Sequence, residues 1–194
     1  MYMPVAETLA STGWTVSLTG GGLNGGLPTA HAVPSWFALR VKSRFEKVTS
    51  ASLRGKGYEE FTPLYRRRTR SRGRLNETEF PLFPGYVFCR FASQHRLPIM
   101  MTPGVVHVVS AGRTPCPVSE AEIEAIRTVH RSFLEVQPHP FPKTGQRVSI
   151  DCGPLRGVHG IVLEQKDNYR LVVSITLLQR SVSVAIERSW IQCV

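Results

Sequence analysis

No apolar run of about 18 residues occurs anywhere in the chain, which excludes a membrane-crossing helix. Cysteine is scarce as well. Cys89, Cys116, Cys152 and Cys193 lie far apart and make no C-x-x-C pair, so reduced thiols in a cytoplasmic protein are expected rather than a disulfide framework or a zinc site. The six histidines (31, 95, 107, 130, 139 and 159) fall at no metal-ligand spacing, and no Ser/His/Asp or Cys/His arrangement has a recognisable setting. Neither a metal, a cofactor nor an enzymatic activity is therefore expected. The glycine cluster "TGGGLNGG" at 19–26 has no preceding strand and no lysine, so it is not a phosphate loop. The first 35 residues lack a basic segment followed by a continuous apolar one, and no secretory signal is expected.

Acidic residues are also few: 14 Asp or Glu stand against 24 Lys or Arg, a net charge of +10. The imbalance is concentrated. Between Trp36 and Arg74 twelve Lys or Arg face only Glu46, Glu59 and Glu60, leaving +9 in that span. A positive field confined to one part of a domain suits a polyanion such as nucleic acid.

Organisation follows from composition and period. Residues 1–35 are rich in Gly, Ser and Thr with no periodic apolar pattern, and a disordered tail is expected there. "WFALRV" (36–41) alternates as a strand, with Phe37, Leu39 and Val41 on one face. Ser43 and Glu46 have capping-box spacing for a helix to about Lys56, with Phe45, Val48 and Leu53 inward. "YEEFTPLY" (58–65) reads as a second strand, an arginine-rich loop follows, and "GYVFCRF" (85–91) reads as a third. A short helix near Gln94–Met101 and a strand at 105–112 come next. Ser119 and Glu122 repeat the capping-box spacing before a helix to about His130, with Ile123, Ile126 and Val129 inward. This order predicts an α+β domain over 36–134, an antiparallel four-stranded sheet with helices on one face.

"EVQPHPFPKTG" places prolines at alternate positions, and a stiff linker is expected over 135–144. Five short β runs follow, which suit a small five-stranded barrel over 145–194. Their β-branched content argues against a helical alternative fold. Leu155, beside Arg156, is expected at an exposed turn tip, where an apolar side chain suggests a partner.

The quoted pattern "WFALRV…RFEK…GYEEFTPLYRRR…EFPLFPGYVFCRF…TPGVVHVV…PVSEAEIEAI" resembles the N-terminal domain of the NusG family. "GQRVSIDCGPLRGVHGIV" (145–162), in the family order, resembles the KOW motif of an SH3-like barrel. "PLYRRR" and "EFPLFPGY" resemble the specialised RfaH and UpxY type of paralogue. The resemblance covers about 36–194 and implies a monomeric transcription elongation and antitermination factor. It implies docking on the β′ clamp helices of RNA polymerase and contact with the β subunit, so that pausing and termination fall. The matching positions for polymerase are Phe61, Pro63, Leu82, Phe83, Pro84 and Tyr86. Paralogues touch the β gate loop through His-Thr-Thr; here the place is taken by His95, Arg96 and Leu97, so only His95 agrees. Arg66, Arg67, Arg68, Arg70, Arg72 and Arg74 fall where the family approaches non-template DNA. Leu155 and Arg156 would meet a KOW partner, either a small-subunit ribosomal protein or Rho. A different reading of the same chain is a ribosome-associated protein that binds RNA through the KOW barrel.

Overall fold

The structure, a computed structural model, describes residues 33–71, 74–165 and 168–193. The tail expected over 1–35 lies almost wholly outside the described residues, as does Arg72.

The first sheet is built on β1 (Ser35–Val41), which has strands paired along both of its edges. β5 (Tyr86–Phe91) pairs along one edge of β1, and β2 (Glu59–Phe61) extends the sheet beyond β5. On the other edge β6 (Val105–Val108) pairs with Leu39–Val41 and the short β9 (Pro117–Val118) with Trp36 and Phe37. All pairs are antiparallel. A two-residue hairpin, β7 (Ser110–Ala111) and β8 (Thr114–Pro115), bridges β6 and β9.

Strand alternation then divides the side chains. Phe37, Leu39 and Val41 join Val87, Cys89 and Phe91 on one face, with Leu53 of α1 (Glu46–Gly55) and Ile99 of α2 (Leu97–Met100). Trp36, Ala38 and Phe88 belong to the other, with Ile123, Ile126 and Val129 of α3 (Glu120–Arg131). Helices therefore flank both faces, not one as the sequence suggested. The reason is that β1 is apolar at consecutive positions, and a strand of that kind needs cover on each side.

Both glutamates at capping-box spacing do something else. The residue preceding α1 is Phe45, no side chain caps the helix, and Phe45 and Val48 stay exposed while Glu46, Thr49, Ser50 and Leu53 are buried. Glu46 instead accepts a hydrogen bond from the Gly85 N–H at 2.8 Å. Ser119 precedes α3 without a side-chain cap, and Glu122 accepts from the Thr176 N–H at 3.1 Å.

The second sheet has six antiparallel strands: β10 (Val136–Pro140), β11 (Gln146–Ile150), β12 (His159–Gln165), β13 (Asn168–Ile175), β14 (Arg180–Ile186) and β15 (Ile191–Cys193). Their order is β10-β14-β13-β12-β11-β15. The five expected strands are present. The proline-rich segment is not a free spacer, because it pairs with β14 from Val136↔Val184 to Pro140↔Arg180. Pro138 and Pro140 are tolerated because β10 is outermost, where a missing N–H costs no ladder bond. Gly160 is needed for a close approach: a Cβ there would lie 2.6 Å from the Val172 carbonyl oxygen.

Candidate functional site

The arginine-rich stretch is a β-ribbon rather than a loop. β3 (Leu64–Ser71) and β4 (Arg74–Pro81) pair only with each other, from Leu64↔Pro81 at the base to Ser71↔Arg74 at the tip. Eight residues at about 3.3 Å each carry this ribbon roughly 25 Å from its base. The glutamates that the register sets opposite Arg66 and Arg68, and the β propensity of Thr69 and Thr78, favour the paired strands. Arg66, Arg68 and Arg70 share a face with Glu79 and Glu77, and Arg67 takes the opposite face. Arg66 is partly neutralised, 3.7 Å from Glu79 and 3.9 Å from Glu77, while Lys47 of α1 holds Glu79 at 2.9 Å. Glu79 is held below the usual carboxylate range, chiefly by its hydrogen bond from Lys47. Arg67, Arg68 and Arg70 are exposed; the Arg74 side chain is outside the described residues.

The turn Leu82–Tyr86 begins where the ribbon ends, and it is fastened at several points. The Leu82 N–H donates to the Pro63 carbonyl at 2.9 Å, Tyr86 N–H to Phe83 at 3.1 Å, and the Gly85 carbonyl accepts from Val41 at 2.9 Å. Gly85 has φ +80°, and a Cβ there would sit 2.5 Å from an Arg40 guanidinium nitrogen. With its N–H held by Glu46, only glycine fits this position.

Leu82 and Phe83 were expected to be presented outward. Each is 1% exposed, and Phe83 meets Phe88 edge-on at 5.4 Å. The reason is that the Pro63 and Glu46 fastenings turn the chain back onto the sheet, so the two side chains fill the α3 face. Pro63 is buried too. What the turn leaves reachable is Pro84, which is exposed, and the half-buried Tyr86. Tyr86 opposes Arg40 across β1 and β5, and the Arg40 guanidinium lies 5.0 Å from its ring centre. That of Arg180, from β14, lies at 5.6 Å.

Phe61 is half-buried beside Phe88 and His130. Arg127 binds this corner together: its guanidinium lies 4.8 Å from the Trp36 ring and 5.3 Å from Phe61, and it pairs with Glu59 at 2.9 Å. The hydrogen bond from Arg127 is the main reason Glu59 titrates below the ordinary range. No sequence signal singled out Arg40, Arg127 or Arg180; their roles come from cross-strand and inter-element stacking. His95 and Arg96 are exposed but lie beyond the far end of β5, about 17 Å of strand from Tyr86. They do not form one site with it. Leu155 is fully buried, because the 3-10 turn Gly153–Leu155 directs it inward and packs near α3, while Arg156 remains exposed.

Burial, with the charges of Glu60 and Glu59, pushes the Cys89 thiol up to about 12, which leaves it unreactive. Among the described residues no group of three or more His, Cys, Asp or Glu is placed to hold a metal ion. No helix among them is long and apolar enough to cross a membrane.

Residues 34–127 match the family model NusG, described as "Transcription termination factor nusG". A solved structure described as "Domain interaction in Thermotoga maritima NusG" is similar, at 20% identity over 83% of this chain and 97% of that one, with a TM-score of 0.52. A second, described as "Crystal Structure of MjSpt4:Spt5 complex conformation A", is 17% identical over 82% and 97% of the two chains, with a TM-score of 0.29. The sheet, the fastened turn and the ribbon all fall inside the matched segment, and residues 34–127 are a NusG-family domain.

Proposed function

We propose that the chain is a transcription elongation and antitermination factor that docks on RNA polymerase through the face around Tyr86. The observation that carries this reading is the turn Leu82–Tyr86, locked by Glu46, Val41 and Pro63 inside a NusG-family domain. A turn with its backbone bonds satisfied holds Pro84 and Tyr86 in one geometry before any partner arrives, so little ordering entropy is lost on docking. Phe61, further along the α3 face, extends the apolar area, and Pro63, Leu82 and Phe83 act as its buried support. The partner surface is the β′ clamp helices. The β subunit would be reached separately by His95 and Arg96.

The arginine ribbon is then the nucleic-acid arm, with Arg67, Arg68 and Arg70 against the phosphates of non-template DNA and Arg74 nearer the tip. Residues 36–134 act as the polymerase-binding domain and 145–194 as an SH3-like barrel of KOW type, with β10 as an added outer strand. Arg156 is the exposed member of the turn proposed to meet a ribosomal protein or Rho.

Affinity for a recombinant clamp-helix fragment tests the docking face. Tyr86→Ala should weaken binding by about 2 kcal/mol, roughly thirtyfold, while leaving the urea midpoint close to that of the parent. Unchanged affinity would remove Tyr86 from the interface.

A further inference from the structure

Among the described residues three that are not glycine have a positive φ: Arg44 at 68°, Phe133 at 58° and Gln179 at 49°. Two of these are polar, and the Gln179 side chain donates to the Thr176 carbonyl at 2.9 Å. Phe133 is different. It is the first residue beyond the C-cap of α3, where a left-handed turn is normally made by glycine. A bulky residue there is costly, and its ring is 100% exposed, so no burial offsets the cost.

The conformation is imposed from both sides. The Val129 carbonyl accepts from the Ser132 N–H at 3.3 Å and from its hydroxyl at 2.7 Å. The same hydroxyl oxygen accepts the Leu134 N–H at 3.4 Å. Leu134 and Val136 then pack on the core, and Val136 opens the ladder with β14. Strain of this kind persists only where its neighbours fix it. The result is a rigid mount that holds one aromatic ring in water.

The position of the ring is a second observation. Tyr86 and Phe88 share a face of β5, Phe61 lies beside Phe88 at 6.3 Å, and His130 meets Phe61 edge-on at 6.2 Å. Phe133 follows His130 by three residues, about 11 Å of chain at most. It stands at the end of the apolar line that starts at Tyr86. The charges around it favour a protein over a nucleic acid. Arg131 is 3.5 Å from Glu124, Arg127 is held by Glu59 at 2.9 Å, and Glu135 is exposed. A ring that stacks on bases works among cations free to meet phosphate.

We propose that Phe133 is a preformed anchor, which inserts into an apolar pocket of RNA polymerase beside the surface that Tyr86 and Phe61 meet. The inference rests on the docking reading above but has its own readout. A ring already fixed loses little freedom on burial, which makes an aromatic an efficient anchor. The strain is the counterpart, since the free chain gains nothing from a ring where glycine would make the turn.

The test uses the full chain with Phe133→Gly, and with Phe133→Asn as a second residue that accepts this φ. Urea melts and affinities for core RNA polymerase and for a single-stranded oligonucleotide are measured on the parent, both variants and Tyr86→Ala. In the Phe133 variants the midpoint should stay level or rise, while polymerase binding weakens roughly tenfold to thirtyfold. A lowered midpoint in both shows that the ring packs on the chain itself, and overturns the anchor. Unchanged polymerase affinity overturns it too; if Tyr86→Ala weakens binding at the same time, the docking reading stands without it. Should the Phe133 variants lose affinity and Tyr86→Ala keep it, the anchor stands and Tyr86 leaves the interface. A parent that fails to bind polymerase overturns both. Weakened oligonucleotide binding with polymerase binding intact assigns the ring to base stacking and overturns the proposal. If the glycine variant does not fold, the same outcomes are read from the asparagine one.

Discussion

The arginine ribbon and the Leu82–Tyr86 turn rise from one corner and are constructed in opposite ways. The ribbon is held by its own ladder and a few exposed ion pairs, with charged side chains on both faces. The turn has its backbone bonded to three other segments and the side chains of Leu82 and Phe83 in the core. An interface of the first kind works by field and is weakened by salt, whereas one of the second kind works by fit and is weakened by repacking.

The largest test of this contrast is Phe83→Ala. Truncating a fully buried aromatic should cost about 3–5 kcal/mol of stability, read as a collapse of the urea midpoint. Tyr86→Ala, three residues on, should cost affinity instead. If Phe83→Ala left the midpoint in place, the turn would not be the buried support described here. A smaller effect is expected on the ribbon. Reversing charge at Arg67, Arg68 and Arg70 should leave the melt within about 0.5 kcal/mol, since exposed positions rarely carry more. Binding to an elongation complex should weaken, and each lost phosphate contact should flatten the log–log salt slope by roughly one unit. An unchanged slope would take the ribbon away from nucleic acid.

The smallest effect concerns pH. Glu59 has a folded pKa below its ordinary 4.5, mainly through Arg127. A depressed carboxylate contributes stability that is full above its unfolded pKa and is lost as pH falls through the folded one. Glu59 is half exposed, so only a slight drop in urea midpoint is expected below about pH 4.5. Arg127→Ala should remove that drop along with some packing on Trp36; a drop of the same size would assign it to other carboxylates.

Much of this was legible in the chain. The alternation of "WFALRV" and "GYVFCRF" located the two central strands, and the five β-branched runs located the strands of the second sheet. What the sequence concealed was competition between local and distant partners. Glu46 and Glu122 have the spacing of helix caps, yet each accepts an N–H from another segment, because a turn and a strand end bring donors to them that no local pattern encodes. Clustered arginines suggested a loop, because like charges along one strand hide the paired Glu77 and Glu79 on the next. Leu82, Phe83 and Leu155 looked like partner contacts since proline and glycine flank them. Those residues bend the backbone so that the apolar side chains turn inward.

Pro138 and Pro140 on β10 have a consequence for solubility. Alternate residues of an outer strand direct their N–H groups away from the sheet, and here two positions of the same parity have no N–H at all. A second molecule seeking to extend the sheet along this border would find acceptors without donors. The border is thereby poor as a template for edge-to-edge aggregation, a protection useful to a sheet whose inner strands are dense in valine, leucine and isoleucine.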